Sequence, residues 1–86
     1  MNPRRSKYEI VSEILKISNV PEGANITKIV YSANLNFKNA QQIISELLEN
    51  GLLEIVDETG KTRYRTTKKG LEFVDRYDAL ESVQRF

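Results

Sequence analysis

The apolar residues of this chain fall into two kinds of spacing. From Ser6 to about residue 18, Tyr8, Val11, Ile14 and Leu15, with Ile10 and Ile17 beside them, recur every three or four positions, the period of a helix with one buried face. The stretch opens on "SKYE", a capping box in which the Ser6 hydroxyl accepts from the Glu9 N–H and the Glu9 carboxylate reaches back to the Ser6 N–H. "NVPEG" supplies the breakers that end it. "ANI" reads as a short strand, and Thr27 as the N-cap of a short second helix, "KIVYSA", with Ile29, Val30 and Ala33 on one face. "NLN" is a tight connection whose Asn36 caps a third helix. There Phe37, Ala40, Ile43, Ile44, Leu47 and Leu48 form one stripe, expected in the core, while Lys38, Asn39, Gln42, Ser45 and Glu49 lie on the other side. Asn50-Gly51 is a helix-stop signal.

After Gly51 the period becomes two. "LLEIVD" reads as a strand, "ETGK" as a turn, and "TRYRT" alternates strictly, so that Arg63 and Arg65 share one face and Thr62, Tyr64 and Thr66 the other. Thr67 then caps a last helix running to about Gln84, roughly 18 residues and about 27 Å long. The expected fold is mainly α with a small β-hairpin (α+β). One domain spans residues 1–86, with 67–85 as an extended C-terminal helix. Tyr8 and Tyr31 are expected to pack rather than to stack on bases.

Composition narrows the chemistry. A chain of 86 residues has room for one small core. It has no Cys and no His, which removes disulfides, thiolate chemistry, the common zinc sites and every triad built on imidazole. No clustered carboxylate pair sits in a recognisable motif, so an enzyme is the weakest reading, and neither cofactor nor metal is expected. No apolar run approaches a membrane span and no signal-peptide pattern is present, so a soluble, cytoplasmic protein is expected. The net charge is only +1, but it is unevenly spread: residues 61–70, "KTRYRTTKKG", hold five positive charges and no negative one, while the segments on either side are net acidic.

Two helices joined by a tight turn, the second with a polar outer face, form a helix-turn-helix pattern, and a hairpin directly after it forms a winged one. "ITKIVYSANLNFKNAQQIISELLENGLLE" followed by "RYRTTKKGLEFVDRYDAL" resembles the archaeal winged-helix transcriptional regulators. Most similar is the small archaeal chromosomal DNA-binding family that dimerises through a long C-terminal helix. The likeness covers about residues 6 to 83. Tyr64, Thr67, Lys69 and Gly70 carry an element widespread among winged helices, and "YSANLN" and the last 20 residues are more discriminating. The resemblance implies a homodimer on double-stranded DNA.

The residues give their own reasons. Lys38, Asn39, Gln41 and Gln42 stand near the N-terminus of the third helix, the part that recognition helices present to base edges. Amide side chains pair bidentately with adenine, and lysine reaches guanine or phosphate. Lys61, Arg63, Arg65, Lys68 and Lys69 are candidates for phosphate contact. Arg63 and Arg65 alternatively only blunt an edge strand. Lys68 and Lys69 sit where cations oppose a helix dipole, which suggests a nearby anion. Arg4, Arg5 and Lys7 form a second basic spot, either an arm reaching the backbone or a solvated end. In the last helix Phe73, Tyr77 and Leu80, continued by Val83, follow the spacing of a helix–helix seam, the candidate dimer interface, with folding back onto the first helix as the alternative. A transcriptional regulator, a non-specific chromatin-organising protein of the nucleoid and a protein-interaction module remain open from sequence.

Overall fold

The computed structural model describes residues 5–57 and 60–83. The elements run α1 (Lys7–Ile17), α2 (Ile26–Ala33), α3 (Phe37–Glu49), β1 (Leu53–Asp57), β2 (Arg63–Thr66) and α4 (Lys68–Val83). Helices α1 to α3 surround one core, the antiparallel hairpin β1–β2 closes one side of it, and α4 returns across α1. Ile14, Leu15, Ile29, Ala33, Ile44, Leu47, Leu53 and Val74 meet in that core.

The local signals act largely as the sequence predicts. Ser6 and Glu9 form both hydrogen bonds of the capping box, each 3.1 Å. The Asn36 carboxamide accepts from the Asn39 N–H at 2.7 Å and starts α3. α3 ends on Gly51, at φ +76°, with the Leu52 N–H on the Leu47 carbonyl and the Gly51 N–H on that of Leu48. Those two bonds satisfy carbonyls that a helix end leaves without partners. The expected cap of α2 is corrected by two residues. Asn25, not Thr27, accepts from the Lys28 N–H at 2.9 Å, so the helix begins at Ile26. Asparagine outcompetes threonine as a cap, and its position lets Ile26 and Ile29 point inward. The "ANI" strand reduces to a single bridge, Ala24 to Tyr64, which holds the α1–α2 connection against the hairpin.

Each of the first three helices has its C-terminal carbonyls satisfied from another part of the chain. The Thr66 hydroxyl, buried in the hairpin base, donates to the Leu15 carbonyl of α1 at 2.6 Å. Arg5 donates to the carbonyls of Ala33 and Asn34 at the end of α2, at 2.6 and 3.2 Å. Lys69 donates to the Asn50 carbonyl and Thr67 to that of Gly51, at 2.9 and 2.6 Å, at the end of α3. Thr67 also accepts the Gly70 N–H and so caps α4, as expected. Gly70 itself marks a close approach: a β-carbon there would overlap the Leu52 carbonyl oxygen and the Thr66 methyl.

Three expected core residues lie outside it. Phe37 is 53% exposed, Tyr8 63% and Tyr31 87%. Phe37 is the first residue of α3, with no preceding turn of that helix beside it, so spacing alone overstates its burial. Tyr8 stands in the first turn of α1 with its ring tilted by 43° against that of Phe73, centroids 6.2 Å apart. Near the start of α4, Leu71 is also exposed, and Val74 is the residue of that helix buried in the core.

Candidate nucleic-acid interface

The outward face of α3 carries Lys38, Asn39, Gln41 and Gln42, all exposed. A turn of helix separates two flanks. Gln41 and Ser45 face the hairpin side, lining a groove of about 560 Å³ with Phe37, Thr27, Lys61 and Thr62. Asn39 and Gln42 face α1, lining a second groove with Arg5, Lys7 and Glu46. The four residues read from sequence therefore share one helix end, but Gln41 borders one recess and Asn39 and Gln42 another, while Lys38 lines neither.

The hairpin has a defined register. Glu54 pairs with Arg65 and Ile55 with Tyr64; the register then shifts at a bulge, so that Asp57 faces Arg63. The bulge leaves Val56 without a cross-strand partner and sets Asp57 opposite Arg63, as Glu54 already stands opposite Arg65. Arg65 lies 2.9 Å from the Glu54 carboxylate and donates to the Pro21 carbonyl at 3.1 Å. Arg63 lies 3.6 Å from Asp57. These are cross-strand pairs on a half-exposed face. The turn residues 58–59 fall outside the described residues.

The sequence patch 61–70 is thus split in space. Lys61 is at the hairpin tip beside the α3 groove. Lys69 is at the hairpin base, bonded to the last turn of α3, and its position at a helix N-terminus is answered by the carbonyl it caps. Lys68 beside it is exposed. The basic N-terminal spot is divided in the same way. Arg5 is held by Glu13 and by the end of α2. Lys7 lies 2.8 Å from Glu46, whose hydrogen bond and charge hold the Lys7 ammonium above the ordinary lysine value. Arg4 lies outside the described residues.

What remains is the set of cations without an ion pair among the described residues: Lys28, Lys38, Lys61, Lys68, Lys69 and Arg76. Lys28 is in the first turn of α2 and Lys38 in the first turn of α3. Lys61 lines the groove with Gln41, and Lys28 and Lys38 are the sequence neighbours of its lining residues Thr27 and Phe37. Lys28 was not singled out from sequence, where α2 was expected to start after a Thr27 cap; it is exposed in the first turn of a helix that begins at Ile26. Among the described residues no group of acidic side chains could hold a metal ion, and no helix is long and apolar enough to cross a membrane.

Elsewhere on the surface, Tyr8, Leu52, Phe73, Tyr77 and Leu80 line a groove of about 610 Å³ that involves α1 and α4. Phe73 and Tyr77 stack in parallel, with centroids 6.4 Å apart. The Tyr77 hydroxyl donates to Glu81 at 3.1 Å; partial burial first, then that carboxylate, raise its pKa above the ordinary phenol value. Lys16 and Asp78, 3.2 Å apart, tie α4 to α1. Leu80 and Val83 beyond them are each 60% exposed. Three of the four seam residues thus border one groove, and Val83 lies past its end.

A helix-turn-helix followed by a two-stranded wing defines the class. Residues 4–85 match the winged helix-turn-helix family, and the chain belongs to it. It is 35% identical over 68 residues to an uncharacterized protein of Methanocaldococcus jannaschii, a match covering 78% of this chain and 64% of that one. The chain therefore spans just under two thirds of the length of that relative. Among solved structures it is similar to Sso10a-2, a DNA-binding protein from Sulfolobus solfataricus, with a TM-score of 0.81 and 28% identity over 93% of this chain and 82% of that one. The multiple antibiotic-resistance repressor of Listeria monocytogenes shares the fold, at a TM-score of 0.66 and 16% identity, over 86% of this chain and 56% of that one.

Proposed function

We propose that this chain binds double-stranded DNA as a homodimer, with the N-terminal half of α3 in the major groove and the hairpin tip beside the phosphate backbone. The observation that carries the reading is the distribution of unpaired charge. Lys61 and Gln41 line a groove that no carboxylate lines among the described residues, Lys28 and Lys38 are the sequence neighbours of its lining residues Thr27 and Phe37, and Asn39 and Gln42 border the second groove, whose Glu46 is paired with Lys7. The similarity to Sso10a-2, described as DNA-binding, supports it. The absence of carboxylates favours a polyanion over a protein partner, since protein interfaces offer charges of both signs.

Within this reading the lysines act first. Arg63 and Arg65 already have carboxylate partners, and each must exchange one to reach a phosphate, so they contribute less than their place in the sequence suggests. Lys68 and Lys69, about 20 Å from the tip along β2 and its flanking residues, reach a backbone only farther along the duplex. The dimer forms through the groove of Phe73, Tyr77 and Leu80, extended by Val83. A two-fold pair would present two α3 helices to successive major grooves. Regulation of transcription or organisation of the chromosome in the cytoplasm follows from such a dimer.

The test is fluorescence anisotropy with labelled duplex DNA. Lys38→Ala with Lys61→Ala is expected to weaken binding on every duplex. Gln42→Ala is expected to change the preference among sequences instead. Unchanged binding in the double lysine variant would refute the assigned face.

A further inference from the structure

Phe37 is the residue that the fold does not use. Its spacing belongs to the buried stripe of α3, yet it is 53% exposed and lies outside the core cluster and the apolar side chains packed against it. A phenylalanine half in water at the first position of a helix does little for stability. It lines the wing-side groove one turn from Gln41, so the two share one flank of the helix. The cations around this spot, Lys38 next to Phe37 and Lys61 across the groove, have no ion pair among the described residues.

Resting on the DNA-binding reading above, we propose that Phe37 reads thymine. Its ring packs against the C5-methyl group that thymine presents in the major groove, while the Gln41 carboxamide hydrogen-bonds an adenine close by. The chemistry is specific to that base. Thymine alone offers a methyl group on the major-groove edge, and apolar side chains discriminate it by burying that group. The charge of the surroundings selects duplex DNA as the occupant, because Lys38 and Lys61 are placed to meet the phosphates on either side. The prediction is a preference for A·T steps that lies in the methyl groups and not in groove width.

The experiment compares an alternating A·T duplex with the same duplex carrying deoxyuridine in place of thymidine, by anisotropy at fixed salt. Removal of the methyl is expected to weaken wild-type binding about fourfold for each methyl buried, the weight of one buried methylene. Phe37→Ala and Phe37→Ser, checked for helix content by circular dichroism, are expected to bind both duplexes equally. That double comparison cancels any effect of the missing methyl on the duplex itself. Equal binding of the two duplexes by the wild type, with salt-dependent affinity retained, would overturn the role of Phe37 and leave the DNA-binding reading standing. A preference that survives in both Phe37 variants would overturn it as well. Absence of salt-dependent binding to either duplex would instead remove the parent reading.

Discussion

Single residues in this chain are placed by what they satisfy rather than by their type. Asn34 ends α2 in the left-handed conformation, at φ 55°, which costs about 1 kcal/mol or more for residues other than glycine. Asn34→Gly is expected to leave stability unchanged or raise it, and Asn34→Ala to lower it by about 1 kcal/mol, measured by urea denaturation. Gly70 has no such backbone constraint; its limit is space, and Gly70→Ala is expected to cost about 1–3 kcal/mol by pushing α4 off Leu52. Tyr77 offers a spectroscopic reading. Its raised pKa means that the phenol keeps its proton to higher pH than a free tyrosine, so an ultraviolet titration should show a late step that Tyr77→Phe removes. If the titration of Tyr77→Phe is the same as that of the wild type less one ordinary tyrosine, the Glu81 contact is not formed.

At the scale of elements, the caps and the change of period were legible. Ser6, Asn36, Thr67 and the Asn50-Gly51 stop all act where the sequence places them, because each depends only on neighbours three or four residues away. What the sequence concealed was tertiary. Arg5 and Lys69 read as free cations, yet each bonds helix-terminal carbonyls that no local pattern reveals. Arg63 and Arg65 read as one basic face, and the bulge that sets Asp57 opposite Arg63 is visible only in the pairing register. Phe37 matched the core stripe because periodicity does not register that the first residue of a helix has no preceding turn beside it. The candidate site was therefore legible as a helix end and a hairpin tip, but not in its division of charge between structure and surface. A consequence follows for the wing: Arg63→Ala with Arg65→Ala should reduce DNA affinity less than Lys38→Ala with Lys61→Ala. The opposite order in a binding titration would mean that both arginines leave their carboxylates on the duplex.

At the scale of the whole molecule, the proposed function rests on two surfaces. One is the lysine-flanked face of α3, and the other is the aromatic groove between α1 and α4, with Leu80 and Val83 exposed beyond it. Phe73→Glu with Leu80→Glu is expected to give monomers by light scattering, with helix content retained; an unchanged mass would exclude this groove as the seam. Thr67 and Lys69 attach the start of α4 to the end of α3, so one rigid connection joins the two helices. The central claim is that the unpaired lysines hold phosphates. A salt titration of duplex binding measures this most directly, since each phosphate neutralised releases counterions and steepens the dependence. For a dimer making about 6 to 8 phosphate contacts, the slope of log affinity against log salt is expected to be on the order of −5 to −7. A slope near zero, or no binding to duplex DNA at low salt, would contradict the account.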